Sequence, residues 1–312
     1  MNEVSRKILE QVNSVIIGKE AVTEKVLMAV LAQGHVLLED VPGVGKTTMA
    51  LAFARTLGLD SRRVQFTSDT MPSDIIGFSL YNKETGRFDY KSGAVMTNLL
   101  LADEINRTSS KTQSALLEAM EEYQVTVDGH TYPLPKPFVV LATQNPMGSA
   151  GTQLLPSSQL DRFMIRTTMG YPDRQSQVDI LRERHHENPL DRLQGVVTCE
   201  ELLELIESAK QVHIADAVYD YIVDLVDATR SSELVELGVS PRGALALCRM
   251  AKAHAFVRGG DFVTPEDVYQ VFDDVCAHRL VLSAKARLGK ITAREITEQL
   301  RQQVPVPQVA QL

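Results

Sequence analysis

Residues 36 to 50 read VLLEDVPGVGKTTMA. An apolar run passes through Glu39 and Asp40 into a turn that closes on Gly-Lys-Thr-Thr, the lysine end of the phosphate-binding pattern GxxxxGK[ST]. In such a loop Gly43 and Gly45 let successive backbone N–H groups face a phosphate, and the following helix adds its positive dipole end. Pro42, Gly43, Val44, Gly45, Lys46, Thr47 and Thr48 are the expected nucleotide contacts. Lys46 is expected to reach the β- and γ-phosphates, and the Thr47 hydroxyl to hold Mg²⁺ beside phosphate oxygens and waters. One position departs from the pattern: Asp40 stands where its first glycine belongs. That position lies at the strand exit, before the cradle itself, and Asp tolerates turn geometry better than most residues, so binding is expected to survive. A glycine-rich turn with no ligand is the reading that this stretch alone leaves open.

A second motif closes much of that opening. In NLLLADEINR, 98 to 107, an apolar run ends in adjacent carboxylates, which puts Asp103 and Glu104 at the C-terminal edge of a buried strand, where ligands bind in open α/β sheets. Asp103 suits the outer sphere of Mg²⁺; Glu104 could take a proton from the water that attacks the γ-phosphate. The run FVVLATQN, 138 to 145, likewise ends in a polar side chain. Asn145 could orient that water or touch the γ-phosphate, or simply form a turn before Pro146.

From residue 35 to about 170 the apolar runs HVLLE, VQFT, TNLLLADE, PFVVLATQ and FMIRTTM alternate with helical segments. Continuous hydrophobicity suits strands buried on both faces, so the expected unit is a parallel sheet covered by helices. After YPDR at 171 to 174 helical patterns take over, with Val218, Ile222, Leu225 and Val226 on one face. TCEE at 198 to 201 fits a capping box, and TPED at 264 to 267 a Thr cap followed by Pro. The expected fold class is therefore an α/β nucleotide-binding core over 1–172, a smaller all-helical domain over 173–303 and a loose tail over 304–312. At 312 residues two domains, either large enough to bury its own core, are the natural division.

Composition excludes several classes. With 44% hydrophobic and 23% charged residues the chain has a globular balance. No apolar run approaches the roughly 20 residues of a membrane span, and the start MNEVSRKILEQV lacks a secretory core, so a cytoplasmic protein is expected. A formal charge of -8 argues against a general nucleic-acid binder. Cys199, Cys248 and Cys276 are far apart and without metal-ligand spacing; Cys276 continues the helical stripe Val268, Val271, Phe272, Val275 and reads as core. His185 and His186 read as a solvated helix end.

The chain resembles MoxR-type AAA+ ATPases. The matching words are GHVLLEDVPGVGKT, NLLLADEINR, KTQSALLEAMEE, VVLATQNP, LPSSQLDRF, SPRGALAL and VTPEDV, in order over nearly the whole length. The resemblance implies a P-loop AAA+ core with a helical lid, ATP/ADP and Mg²⁺ as cofactors, and a hexameric homo-oligomeric ring. It further implies a partner with a von Willebrand factor A-like domain and a protein client. Asn145 resembles the sensor-one residue, Arg162 the arginine finger that enters a neighbour's site, and Arg242 the sensor-two arginine. The segment around Ile16, Ile17 and Gly18 resembles the one that closes around adenine, though it also suits packing at a helix end. Arg162 could instead pair with Asp161 or another acid. If Ser240 caps a helix begun by Pro241, Arg242 sits at its positive end, where cations are disfavoured; a surface ion pair or a nucleotide phosphate would compensate.

Two insertions hint at the client. Residues 78 to 95 resemble the helix-two insert, with Gly93-Ala94 where the family has Pro. Residues 124 to 134 resemble the hairpin before sensor one and turn at Asp128-Gly129, a strong two-residue hairpin signal. An ATP-driven nucleic-acid motor and a nucleotide-gated scaffold are the other readings. The hairpin tip carries no Lys or Arg for phosphates, and a scaffold has no use for Glu104, Asn145 and Arg162 together.

Overall fold

The computed structural model describes residues 1–41, 43–145, 155–183 and 188–307; Pro42, His185 and His186 lie outside them. The strands in chain order are β1 (Val36–Glu39), β2 (Ser61–Gln65), β3 (Gly77–Asn82), β4 (Arg87–Ser92), β5 (Leu99–Asp103), β6 (Gln124–Val127), β7 (His130–Pro133), β8 (Val139–Gln144), β9 (Ile165–Thr167), β10 (Val235–Leu237) and β11 (Val281–Leu282). Five of them form one parallel sheet in the order β2-β5-β8-β1-β9. The strand that feeds the phosphate loop therefore lies inside the sheet, and the acidic pair ends a strand one place beyond its neighbour β8.

Side chains on these strands alternate between two buried layers, as a period of two requires. Leu38, Leu99, Leu101, Val139 and Leu141 face one layer; Leu37, Leu100, Ala102, Val140 and Ala142 face the other, with Phe66, Leu116, Leu117 and Phe163. The run VQFT departs from expectation. Its strand is Ser61–Gln65, exposed except for half-buried Val64, because β2 is an edge strand that pairs only with β5 and tolerates charge there.

The helices are α1 (Glu3–Asn13), α2 (Glu20–Leu31), α3 (Lys46–Thr56), α4 (Pro72–Ile76), α5 (Ser110–Glu122), α6 (Ser157–Leu160), α7 (Arg174–Glu183), α8 (Cys199–Gln211), α9 (Asp216–Ser231), α10 (Pro241–Arg258), α11 (Pro265–Cys276), α12 (Ala284–Leu288) and α13 (Ala293–Gln303). Thr198 and Thr264 each cap a helix through a reciprocal capping box. Val218, Ile222, Leu225, Val226 and Cys276 are core residues, and burial pushes the Cys276 thiol up to about 12. The C-terminal half is helical apart from the short antiparallel pair β10–β11. It does not hold a separate core: α2 packs on α8 and α10 as well as on α1, so one apolar cluster runs from Ile8 to Leu300. Buried Arg279 adds a polar tie, reaching Asp161 at 2.8 Å and the Phe163 carbonyl at 2.7 Å.

Both insertions are antiparallel hairpins, β3–β4 and β6–β7. Asp128 and Gly129 take φ of 49° and 79°, the left-handed pair that a two-residue turn demands. At the foot of the first hairpin, Ala94 and Val95 donate to the Asp74 and Ile75 carbonyls. A side chain at Gly93 would lie 2.2 Å from the Ile75 carbonyl, so the close backbone approach requires glycine.

His35 clamps β8 to α5: Nδ1 accepts the Val140 N–H and Nε2 donates to the Met120 carbonyl, both at 3.0 Å. Burial pushes its pKa from 6.5 down to about 4. Below pH 6.5 the unfolded chain takes up a proton that the folded ring refuses. Stability is thus fully present above pH 6.5 and is lost as pH falls towards 4, by about 3 kcal/mol over that window. Urea titrations across the window should show the loss, with a shallower slope in His35→Gln; an unchanged slope in that variant rejects the assignment.

Candidate nucleotide site

The phosphate loop leaves β1 and closes on α3, whose N-terminal cap, Gly45, has a φ of 97°; Gly43 has 86°. Both lie in the left-handed region that glycine enters without strain. A side chain at Gly43 would meet nothing within 4 Å among the described residues, which leave that face of the loop open. Lys46, Thr47 and Thr48 form the first turn of α3 and are half-buried, and Val44 packs its side chain on the core. The Lys46 ammonium reaches the Asp40 and Val41 carbonyls at 3.0 and 3.1 Å. Burial lowers its pKa, opposed by the charges of Asp40, Asp103 and Glu104.

The odd aspartate has a structural task that no local argument supplied. Asp40 is not among the residues with positive φ; its carboxylate is buried and accepts the backbone N–H groups of Met169 and, at 2.9 Å, Gly170. It therefore ties the exit of β1 to the segment after β9. Asp40→Ala leaves the buried Met169 N–H and the half-buried Gly170 N–H without their acceptor, at a cost of about 1–3 kcal/mol. Chemical denaturation should read that loss, with Asp40→Asn smaller because one acceptor oxygen remains; wild-type stability in the Ala variant excludes this role.

The acidic pair is held from three sides. Asp103 accepts the Thr143 hydroxyl at 2.6 Å and pairs with Arg63 at 2.7 Å. Glu104 has a φ of 57°, and its N–H donates to the same Thr143 oxygen at 2.9 Å. Its carboxylate accepts Gln65 at 2.9 Å and Arg107 at 2.7 Å. With Asn145, the loop and the pair line one cleft of about 370 Å³. Arg63, Gln65, Arg107 and Thr143 were missed in the sequence. Thr143 had a signal, a polar residue inside the apolar run VVLATQ, where burial demands a partner. Gln65 and Arg63 had none, since their place follows from the pairing of Gln65 with Asp103 across β2 and β5.

The remaining expected residues lie elsewhere. Ile16 is packed in the core, Ile17 is half-buried, and Gly18, with a φ of 69°, approaches Ser176 so closely that a side chain would lie 2.2 Å from its Oγ. None of the three lines the phosphate cleft. Arg162 and Arg242 line a second cleft of about 180 Å³. Arg162 does not pair with Asp161; its Nε lies 3.1 Å from Glu121, whose other carboxylate oxygen pairs with Arg242. Ser240 caps α10 and Pro241 opens it, so Glu121 is the anion beside the arginine at that positive helix end.

Residues 35–165 match the family profile described as ATPase family associated with various cellular activities (AAA), and 227–300 the AAA lid domain. The chain is 40% identical to the protein named Chaperone MoxR1 of Mycobacterium tuberculosis, over 99% of this chain and 84% of the relative. It belongs to the MoxR family of AAA+ ATPases. Another family-length relative, the uncharacterized protein YeaC of Bacillus subtilis, is 46% identical over 96% of this chain and 94% of its own. The crystal structure of a protein from Cytophaga hutchinsonii assigned as an ATPase superposes with a TM-score of 0.90 at 38% identity, covering 97% and 94% of the two chains. As a MoxR-family AAA+ ATPase, the chain binds and hydrolyses ATP on the P-loop core and lid that its fold displays. No helix among the described residues is long and apolar enough to cross a membrane.

Proposed function

We propose that this ATPase works as a hexameric ring in the cytoplasm, using Mg·ATP to remodel or mature protein complexes in the manner of a chaperone, with a von Willebrand factor A-like partner. The core would span 1–172 and the lid 173–303. The observation that carries the ring is the separation of two clefts within one chain. The phosphate loop, acidic pair and Asn145 line one, whereas Arg162 and Arg242 line the other. The first cleft has Lys46 and also Arg63, which is engaged by Asp103; a further cation on the transferring group, of the arginine-finger kind, would come from a neighbouring subunit. Arg242 then serves the neighbour's nucleotide beside Arg162 rather than its own. The nearness of the M. tuberculosis relative named as a chaperone supports the client class. DNA is not expected as a client, because residues 124 to 135 contain no Lys or Arg.

The donor set fits Mg²⁺: the Thr47 hydroxyl is a hard oxygen ligand, and the Asp103 carboxylate, engaged by Thr143 and Arg63, suits the ion's outer sphere. Among the described residues no cluster of three or more His, Cys, Asp or Glu could hold a metal unaided, so phosphate oxygens and waters would complete the shell. When bound, the ion would supply positive charge that neutralises charge developing on the phosphates. Glu104, held in place by Gln65 and Arg107, takes the proton of the attacking water as the new oxygen–phosphorus bond forms. The bond from the γ-phosphorus to its bridging oxygen breaks, and ADP and phosphate leave. Asn145 orients the water, and the Ile16–Gly18 segment closes near the adenine.

Sedimentation in Mg·ATP tests the assembly: a ring-sized species at the concentrations that support turnover is expected, and a fully active monomer rejects the proposal. Lys46→Ala tests the cradle. The ammonium is the cation that the loop itself presents to the phosphates, so titration with a fluorescent ATP analogue should show binding lost; unchanged affinity would remove the loop from the site.

A further inference from the structure

The second cleft contains a residue to which neither the resemblance nor the ATPase reaction assigns a role. Four arginines line it, Arg162, Arg242, Arg249 and Arg279, against two carboxylates, Glu121 and Asp161. Asp161 is engaged by Arg279 at 2.8 Å and by the Ser240 hydroxyl at 3.0 Å. Glu121 serves Arg162 and Arg242, one with each carboxylate oxygen. These three side chains come from different parts of the fold: Glu121 from the last turn of α5, Arg162 from the turn after α6, and Arg242 from the first turn of α10 in the lid.

We propose that Glu121 is a positioning residue that holds Arg162 of the core and Arg242 of the lid together, as one preset pair, for the active site of the neighbouring subunit. The proposal rests on the ring reading above. Three features favour positioning over masking. Glu121 lies beside Nε of Arg162, an ion pair without hydrogen-bond alignment, and not at the forked Nη end, the end that grips a phosphate bidentately. It meets Arg242 through one Nη, and a guanidinium has five donors in all. Arg162 and Glu121 are each about one-third exposed, at 29% and 31% of their side-chain surface, so the cluster is open on one side and a neighbour can reach it. Long arginine side chains lose much freedom when ordered, and a misplacement of about 1 Å can cost about 100-fold in rate. A carboxylate shared by both fixes their spacing before the neighbour's nucleotide arrives, and binds lid motion to finger motion.

Glu121→Gln keeps the volume but replaces one acceptor oxygen by a donor NH₂ that faces a guanidinium. Turnover is expected to fall about 10- to 100-fold, with the affinity of the variant's own site for an ATP analogue unchanged. The deciding readout is complementation in mixed rings, with subunit exchange verified by mixed-tag capture. Glu121→Gln should recover activity with Lys46→Ala, which brings intact arginines, and should gain nothing from Arg162→Ala, which does not. A merely structural defect has no reason to follow that pattern. Should the Gln variant fail to assemble, Glu121→Asp retains the charge one methylene short and should show the same pattern at smaller amplitude.

Full turnover in Glu121→Gln overturns the proposal. Raised turnover does so too, by making Glu121 a brake, and rescue by Arg162→Ala but not by Lys46→Ala makes it act within its own subunit. The Arg162→Ala and Lys46→Ala mixture is the separate control on the ring: if that pair recovers no activity, the ring reading itself fails, whereas recovery there with an indifferent Glu121 removes this inference alone.

Discussion

Arg162→Ala is expected to bind ATP with near-normal affinity and hydrolyse it about 10³ to 10⁵ times more slowly. In the chain's own phosphate cleft nothing is removed, because Arg162 lines the other cleft. On the ring proposal, what is lost is a guanidinium that would stabilise charge on the transferring phosphoryl group of a neighbour. The ion pair with Glu121 is also lost, but it is partly exposed, and pairs of that kind contribute little to folding. Mixing Arg162→Ala with Lys46→Ala should restore some activity, since an intact loop on one protomer then meets an intact finger on the next. An ion pair with a purely structural role and a residue acting within its own subunit both forbid such rescue. Phosphate release from the mixture, with both variants assembled and exchanging, decides the matter: a mixture as inert as its parts ends the trans assignment.

Glu104→Gln should likewise load nucleotide and stall, with turnover lower by about 10² to 10⁴-fold. The amide keeps the side-chain volume and one acceptor for Gln65 or Arg107, so the fold of the cleft is retained, but it cannot take a proton from water. The loss should appear in kcat and not in nucleotide affinity. A stalled ATP state should also retain its client, which makes this variant the bait for capture from lysate. Near-normal phosphate release by Glu104→Gln would move the base to another residue of the cleft.

Much of the local structure around this site was legible in the residues themselves. Glycine at a left-handed φ marks the turn at Gly43 and Gly45, Asp128-Gly129 marks a hairpin, and Thr before Glu or Asp marks a helix start; each depends on residues within a few positions. The buried strands could be read for a related reason, since apolar runs such as VVLA and NLLLA leave no face for water. β2 could not, because a central and an edge strand differ in their neighbours and not in their own composition.

The sequence by itself determined the phosphate loop, the acidic pair at a strand end, and the order of an α/β core followed by helices. Only the tertiary structure decided what Asp40 is for, because its partners Met169 and Gly170 lie some 130 residues away and backbone N–H groups carry no sequence signature. Only the structure set Thr143, Arg63 and Gln65 around the acidic pair, through sheet register. Glu121 was the least visible of all: on α5 it reads as one more charge on a solvated face, and its meaning comes from two arginines that the chain brings to it from 41 and 121 residues away. Ion pairing acts through space, and the alignment of three distant elements is a property of the packed core beneath them.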